Sequence, residues 1–135
     1  MTAAYSGKPL VEKLGIKPGW TITILNAPRG YDRTLGKVPA RVTRRISAAG
    51  ALDFIQFFTR ERRDLEHELG MLARALAPAG ALWISWPKKS AGVPTDLTED
   101  VIRAIGLAHG LVDVKVVAVD EIWSALKFVR RVKDR

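Results

Sequence analysis

Lys88, Lys89 and Ser90 set two ammonium groups and a hydroxyl just ahead of an apolar helical run, whose amino end carries Asp96 and, three residues on, Glu99. Ammonium groups, free backbone N–H groups and a helix dipole together suit an anion. Gly92 and Pro94 shape the intervening loop without obstructing it. The competing reading is a solvated basic loop, in which Asp96 caps the helix in a capping box with Glu99 and so competes with an added anion. Trp86, immediately before the lysines, could stack a base or another flat ligand, although a tryptophan closing an apolar run is more often packed in a core. Asn26 and Arg29 follow a second apolar run, and Thr59 follows a third. Asn26 could orient a ligand or bond its own backbone in a turn. Asp120 and Glu121 could form an acid–base pair, but residues of this type between two strands are more often turn formers.

Other chemistries lack their residues. The chain contains no cysteine, which removes a thiol nucleophile, a thiolate metal site and a disulfide framework. His67 sits among acidic neighbours and His109 beside Gly110, and neither has a partner at metal-ligand spacing. No serine stands in a nucleophile elbow, and neither a phosphate-binding loop nor a dinucleotide fingerprint is present. The sequence therefore names no catalytic residue, no metal and no cofactor.

The elements that must position these residues alternate in type. Pro9 suits the start of a short helix carrying Leu10, Val11 and Leu14, and Gly15 suits its end. Trp20 to Leu25 reads as the first strand. Asn26 to Leu35 reads as a loop with room for one helical turn. Arg41 to Ile46 reads as a charged edge strand, and Leu52 to Phe58 as the third strand. Thr59 is the expected N-cap of a helix with Leu65, Leu69, Leu72, Ala73 and Leu76 on its apolar face. Pro78-Ala79-Gly80 should end that helix. Ala81 to Trp86 is the fourth strand, apolar throughout as befits a strand covered on both faces. The last helix buries Val101, Ile102, Ile105 and Leu107 and closes at Gly106 to Gly110. Val112 to Val119 and Ala125 to Val132 are the last strands, antiparallel because their link is too short for a crossover. This alternation predicts one α/β domain over residues 1–135, with a mostly parallel sheet of about six strands between two helical layers.

A chain of 135 residues, 47% hydrophobic and 27% charged, has the size and balance of one globular domain. Its net charge of +8 favours anionic partners or simply a solvated basic surface. Arg41, Arg44 and Arg45 form one basic group; Arg130, Arg131, Lys133 and Arg135 form another. They could make a nucleic-acid patch, but no nucleic-acid motif accompanies them. No apolar stretch is long enough to span a membrane, and Met1 to Ser6 does not read as the start of a signal peptide. A cytoplasmic location is expected.

Two resemblances add to this reading. Leu14-Gly15-Ile16-Lys17-Pro18-Gly19 before an apolar strand looks like the approach to the first strand of class I S-adenosylmethionine-dependent methyltransferases. Leu76-Ala77-Pro78-Ala79-Gly80-Ala81-Leu82-Trp83-Ile84 resembles a later stretch of those enzymes, and the final hairpin fits them too. With one middle strand and helix missing, the resemblance implies a three-layer Rossmann-like fold with strand order 2-1-3-4-6-5. The family's glycine-rich cofactor loop is replaced by Asn26-Ala27-Pro28-Arg29-Gly30-Tyr31, and no acidic residue closes the second strand. The runs Tyr5 to Leu10, Leu25 to Pro28, Trp86 to Asp100 and Leu111 to Lys115 are similar to a family of small bacterial proteins catalogued as a domain of unknown function. That resemblance implies a bacterial protein and no particular activity.

In open α/β sheets, ligands bind beyond the carboxyl ends of the strands where strand order reverses. Asn26, Thr59 and Lys88 should therefore approach one crevice. The leading reading is a non-catalytic binding or regulatory module for an anionic small molecule. It would use Asn26, Arg29, Thr59, Trp86, Lys88, Lys89 and Ser90. The alternatives are nucleic-acid or acidic-protein binding through the basic surface, and a divergent methyltransferase-like enzyme. The sequence does not fix an oligomeric state.

Overall fold

A computed structural model describes residues 7–135. The expectations on Met1 to Ser6, and the first residues of the Tyr5 to Leu10 run, lie outside the described residues. The elements are α1 (Leu10–Leu14), β1 (Thr21–Leu25), α2 (Tyr31–Leu35), β2 (Thr43–Arg45), β3 (Leu52–Phe58), α3 (Arg62–Ala75), β4 (Leu76–Pro87), α4 (Glu99–Ala108), β5 (Leu111–Ala118) and β6 (Trp123–Arg130). They build one six-stranded sheet of order β2-β1-β3-β4-β6-β5. The first four strands in that order run parallel, and β6 runs antiparallel to both β4 and β5. Order and directions are those expected from the sequence.

Alternation along the strands explains the two helical layers. Ile55 and Phe57 of β3, Leu82, Ile84 and Trp86 of β4, and Leu126 and Phe128 of β6 pack with Leu65, Leu69 and Leu72 of α3 and with Ile102 and Ile105 of α4. Phe54 and Phe58, Ala81 and Trp83, and Ala125 face the other way, toward Leu10 and Leu14 of α1 and Tyr31 and Leu35 of α2. Because both faces are covered, β3 and β4 are apolar nearly throughout. Gly106 lets α4 lie directly on the sheet: a Cβ there would sit 2.1 Å from Phe128 Cε1. Among the described residues, no helix is long and apolar enough to cross a membrane.

Several boundaries differ from the sequence reading. The helix ends at Ala75 rather than at Pro78, because Leu76 already pairs with Leu52 in the sheet. Pro78-Ala79-Gly80 therefore lies inside β4, where Gly80 passes so close to Leu52 that a Cβ would stand 2.8 Å from its carbonyl oxygen. The second strand keeps only three residues, all exposed. Leu107 is 44% exposed rather than packed, and the neighbouring Gly106 takes the inward position.

Candidate functional site

The carboxyl ends of β1 and β3 meet at the reversal of strand order, since β1 is followed in sequence by β2 on one side and flanked by β3 on the other. Asn26 leaves β1 with φ +58°, a left-handed conformation that asparagine tolerates better than most residues. Thr59 leaves β3 buried, its N–H donating to the Ser85 carbonyl at 3.0 Å. Its Oγ1 accepts from the Glu61 N–H at 3.3 Å. A crevice of about 280 Å³ opens between these ends, lined by Asn26, Phe58, Thr59, Arg60, Glu61, Asp64 and Trp123. Of Asn26, Thr59 and Lys88, expected at one crevice, the structure brings Asn26 and Thr59 to it and leaves Lys88 out of its lining.

Thr59 is not the cap of the following helix. Glu61 occupies the N-cap position without a side-chain bond, and Asp96 reaches across from the β4–α4 loop to accept from the Arg62 N–H at 2.7 Å. The expected capping box of Asp96 with Glu99 is therefore not formed. Thr98 caps α4 by accepting from the Val101 N–H at 3.2 Å, and Glu99 turns to Arg103 instead. Thr95 Oγ1 donates to the Arg60 carbonyl at 2.6 Å, so two loops are strapped together. A second opening of about 350 Å³, lined by Arg60, Glu61, Pro94, Thr95 and Asp96, adjoins the crevice through shared residues.

The remaining sequence candidates go elsewhere. Trp86 is 6% exposed and packs in the α3–α4 layer, so its ring is not offered to a ligand. The Lys88 N–H donates to the Ile122 carbonyl at 2.7 Å, which fastens it to the β5–β6 turn. Its ammonium lies close enough to Lys13 to lower the pKa of that lysine, an effect secondary to burial. Lys89 and Ser90 stand in an exposed single 3-10 turn. Neither these three residues nor Arg29, exposed in the β1–α2 loop, line the crevice. Asp120 is a turn residue, its Oδ1 accepting from the N–H groups of Ile122 and Trp123 at 2.8 Å. Among the described residues no acidic or histidine cluster could hold a metal ion.

The sequence reading missed a polar chain beneath the crevice. Tyr31 Oη donates to Gln56 Oε1 at 2.6 Å, and Gln56 Nε2 donates to Ser85 Oγ at 3.0 Å. All three residues are buried. The signal was available: Gln56 and Ser85 are the polar interruptions of two apolar strands at positions facing the same helical layer. The Tyr31 ring meets Phe58 edge-on at 4.8 Å, and Phe58 meets Trp123 at 5.1 Å. This file of aromatic rings fills the space behind the β1–α2 loop.

That filling decides how far an S-adenosyl cofactor, implied by the resemblance, fits these residues. Tyr31 and Leu35 of the five-residue α2 are packed into the core. The opening on the β2 side of the loop, about 280 Å³, is lined by Ala27, Pro28, Gly30, Tyr31, Asp32 and Arg44. Its acid, Asp32, is engaged by Arg44 at 2.8 Å, and β2 ends on arginine. The small-residue cradle and the acid expected at the end of β2 are both missing, so these residues do not fit the cofactor in the way the resemblance implies.

Comparison with known proteins bears on the scaffold. No protein-family profile and no curated protein matches the chain. Among solved structures, it resembles an S-adenosylmethionine-dependent methyltransferase from Aquifex aeolicus at 14% identity and TM-score 0.63, covering 87% of this chain and 86% of that one. It resembles magnesium protoporphyrin IX methyltransferase from Synechocystis at 14% identity and TM-score 0.58, covering 90% and 74%. A putative methyltransferase from Thermoplasma acidophilum matches at 10% identity and TM-score 0.58, covering 87% and 70%. The chain has the scaffold of the S-adenosylmethionine-dependent methyltransferases.

Proposed function

We propose that this chain is a small-molecule binding module on a methyltransferase scaffold, rather than a methyl-transferring enzyme. The observation that carries the reading is the crevice at the strand-order reversal, where Asn26, Thr59, Arg60, Glu61, Asp64 and Trp123 converge. Its lining refines the expected ligand. Arg60 is its cation, while Glu61 and Asp64 bring carboxylates. The α3 amino end, which would favour an anion, is taken by Asp96. A purely anionic ligand is disfavoured by this balance, and a compact zwitterion of the amino-acid type suits it. Its carboxylate would meet Arg60, its ammonium Glu61 or Asp64, and its side chain the half-buried Trp123 ring. On the sequence resemblance we also place the chain among small bacterial cytoplasmic proteins.

Thermal-shift titration tests the reading, with free amino acids, S-adenosylhomocysteine, nucleotides and inorganic phosphate as ligands. Ligand at tenfold its Kd stabilises the native state by about 1.4 kcal/mol, a readily measured shift. Stabilisation by amino acids that is lost in Arg60→Ala and Asn26→Ala supports the module. Stabilisation by S-adenosylhomocysteine alone would restore the enzyme reading. No shift at millimolar concentration of any of them would remove the proposal.

A further inference from the structure

Lys115 of β5 and Lys127 of β6 are direct partners across an antiparallel pair. Like charges placed directly opposite destabilise a sheet. Both belong to the α1 side. Lys127 lies two residues from Ala125 on that face, and Trp83, its partner on β4, packs in the same layer. Lys17, at the turn after α1, joins them. The Lys127 ammonium is held below its ordinary pKa by burial first, then by Lys115 and by Lys17. Lys17 also stands over the half-buried Trp20 ring, its Nζ 6.0 Å from the centroid. The patch continues along β5 into a groove of about 350 Å³ lined by Lys8, Glu12, Lys13, Lys115, Val116, Val117 and Ala118. Lys13 Nζ donates to the Ala118 carbonyl at 2.7 Å, about 10 Å along the strand from Lys115 at the usual rise per residue.

The cations named here are all lysines. Arginine is the residue suited to bidentate capture of a carboxylate, whereas lysine acts as a point charge that accepts phosphate in many geometries. An aromatic face within the same patch adds a surface on which a base can stack. We propose that this face binds the sugar-phosphate backbone of a single-stranded nucleic acid, with Lys17, Lys115 and Lys127 as phosphate contacts and Trp20 as the stacking ring. The surface is distinct from the crevice and from the arginines of β2 and the last residues of the chain. It does not depend on the crevice binding anything.

Fluorescence anisotropy with a labelled oligouridylate, over a range of salt, tests it. Three phosphate contacts to a single strand contribute a slope of about −2 in log K against log salt, or roughly twentyfold in affinity between about 50 and 200 mM. The triple variant Lys17→Gln, Lys115→Gln, Lys127→Gln should flatten the slope by about that amount, and the exposed pair Lys17→Gln, Lys115→Gln by about 1.4. Removing the opposed charges should leave the melting temperature unchanged or raise it, so lost binding with retained stability supports a binding role. The proposal fails if the oligonucleotide does not bind at low salt, or if the triple variant binds as the parent does. It fails also if polyglutamate competes as effectively as the oligonucleotide, which would assign the face to an acidic protein.

Discussion

Replacing Tyr31 by phenylalanine removes one oxygen from the polar chain that runs from the β1–α2 loop through Gln56 to Ser85. Gln56 is completely buried, and its Nε2 is already committed to Ser85. In Tyr31→Phe, Gln56 Oε1 is left facing apolar neighbours without a donor. An orphaned buried acceptor costs about 1 to 3 kcal/mol, which for a chain of this length is a fall in Tm of roughly 4 to 12 °C. The ring is retained, so the edge-on contact with Phe58 at 4.8 Å should survive. Tyr31→Leu loses that contact as well, adding about 0.5 to 1.5 kcal/mol for the aromatic pair. Urea unfolding at neutral pH measures both, and an unchanged m-value would show that the loss lies in native stability. A double-mutant cycle with Ser85→Ala should give a coupling of at least about 0.5 kcal/mol, because both residues act through Gln56. If Tyr31→Phe unfolds within about 0.5 kcal/mol of the parent, with no coupling to Ser85, the chain does not hold the loop. Tyr31 then does not anchor α2 to the sheet through Gln56.

The same phenol predicts an alkaline effect. Burial raises its pKa above the ordinary value of 10.0, so its stabilising contribution is complete below pH 10 and is lost as pH rises through the folded value. Stability measured from pH 9 to 11 should fall more steeply in the parent than in Tyr31→Phe. Gly106→Ala forces a methyl group 2.1 Å from Phe128 Cε1 and should cost about 1 to 3 kcal/mol or more, with partial rescue by Phe128→Leu in the same denaturant assay. Asp96→Ala removes the oxygen that caps α3 at 2.7 Å and should cost about 1 kcal/mol. Added sulfate should then stabilise the variant more than the parent, because the vacated helix end can accept an anion. Equal sulfate effects in both proteins would show that the helix end does not take up the anion.

The sheet was legible because its strands carry their own instructions. Leu52 to Phe58 was read to the residue, since a mainly apolar and aromatic run, interrupted at Asp53 and Gln56 and bounded by Gly50 and Thr59, has few alternatives. The placement of Asn26 and Thr59 followed from topology alone, through the rule that strand ends at a reversal form a crevice. Side-chain commitments across loops were not legible. Asp96 and Glu99 have the spacing of a capping box, yet Asp96 is drawn to α3 because the Thr95–Arg60 bond brings the two loops together. Lys88 points to the hairpin because its backbone is fastened to Ile122, a contact between residues 34 positions apart in sequence. Trp123 precedes the last strand as read from the sequence, Ala125 to Val132, and it lines the crevice because β6 begins two residues earlier, at Trp123 itself. Pairing partners distant in sequence supply these facts, and local spacing does not contain them.

The position of β6 has a consequence for synthesis. It is the sixth strand along the chain, but it lies between β4 and β5 in the sheet. Until it emerges, β5 has no neighbour to pair with, and the free side of β4 exposes its backbone N–H and C=O groups. The N-terminal helix waits as well, because Val119 and Ala125 form part of the layer that Leu10 and Leu14 pack into. The chain therefore cannot fold progressively from its first residues as they leave the ribosome. Translation arrested before Trp123 should release a species that is sticky along an open sheet edge and prone to chaperone capture.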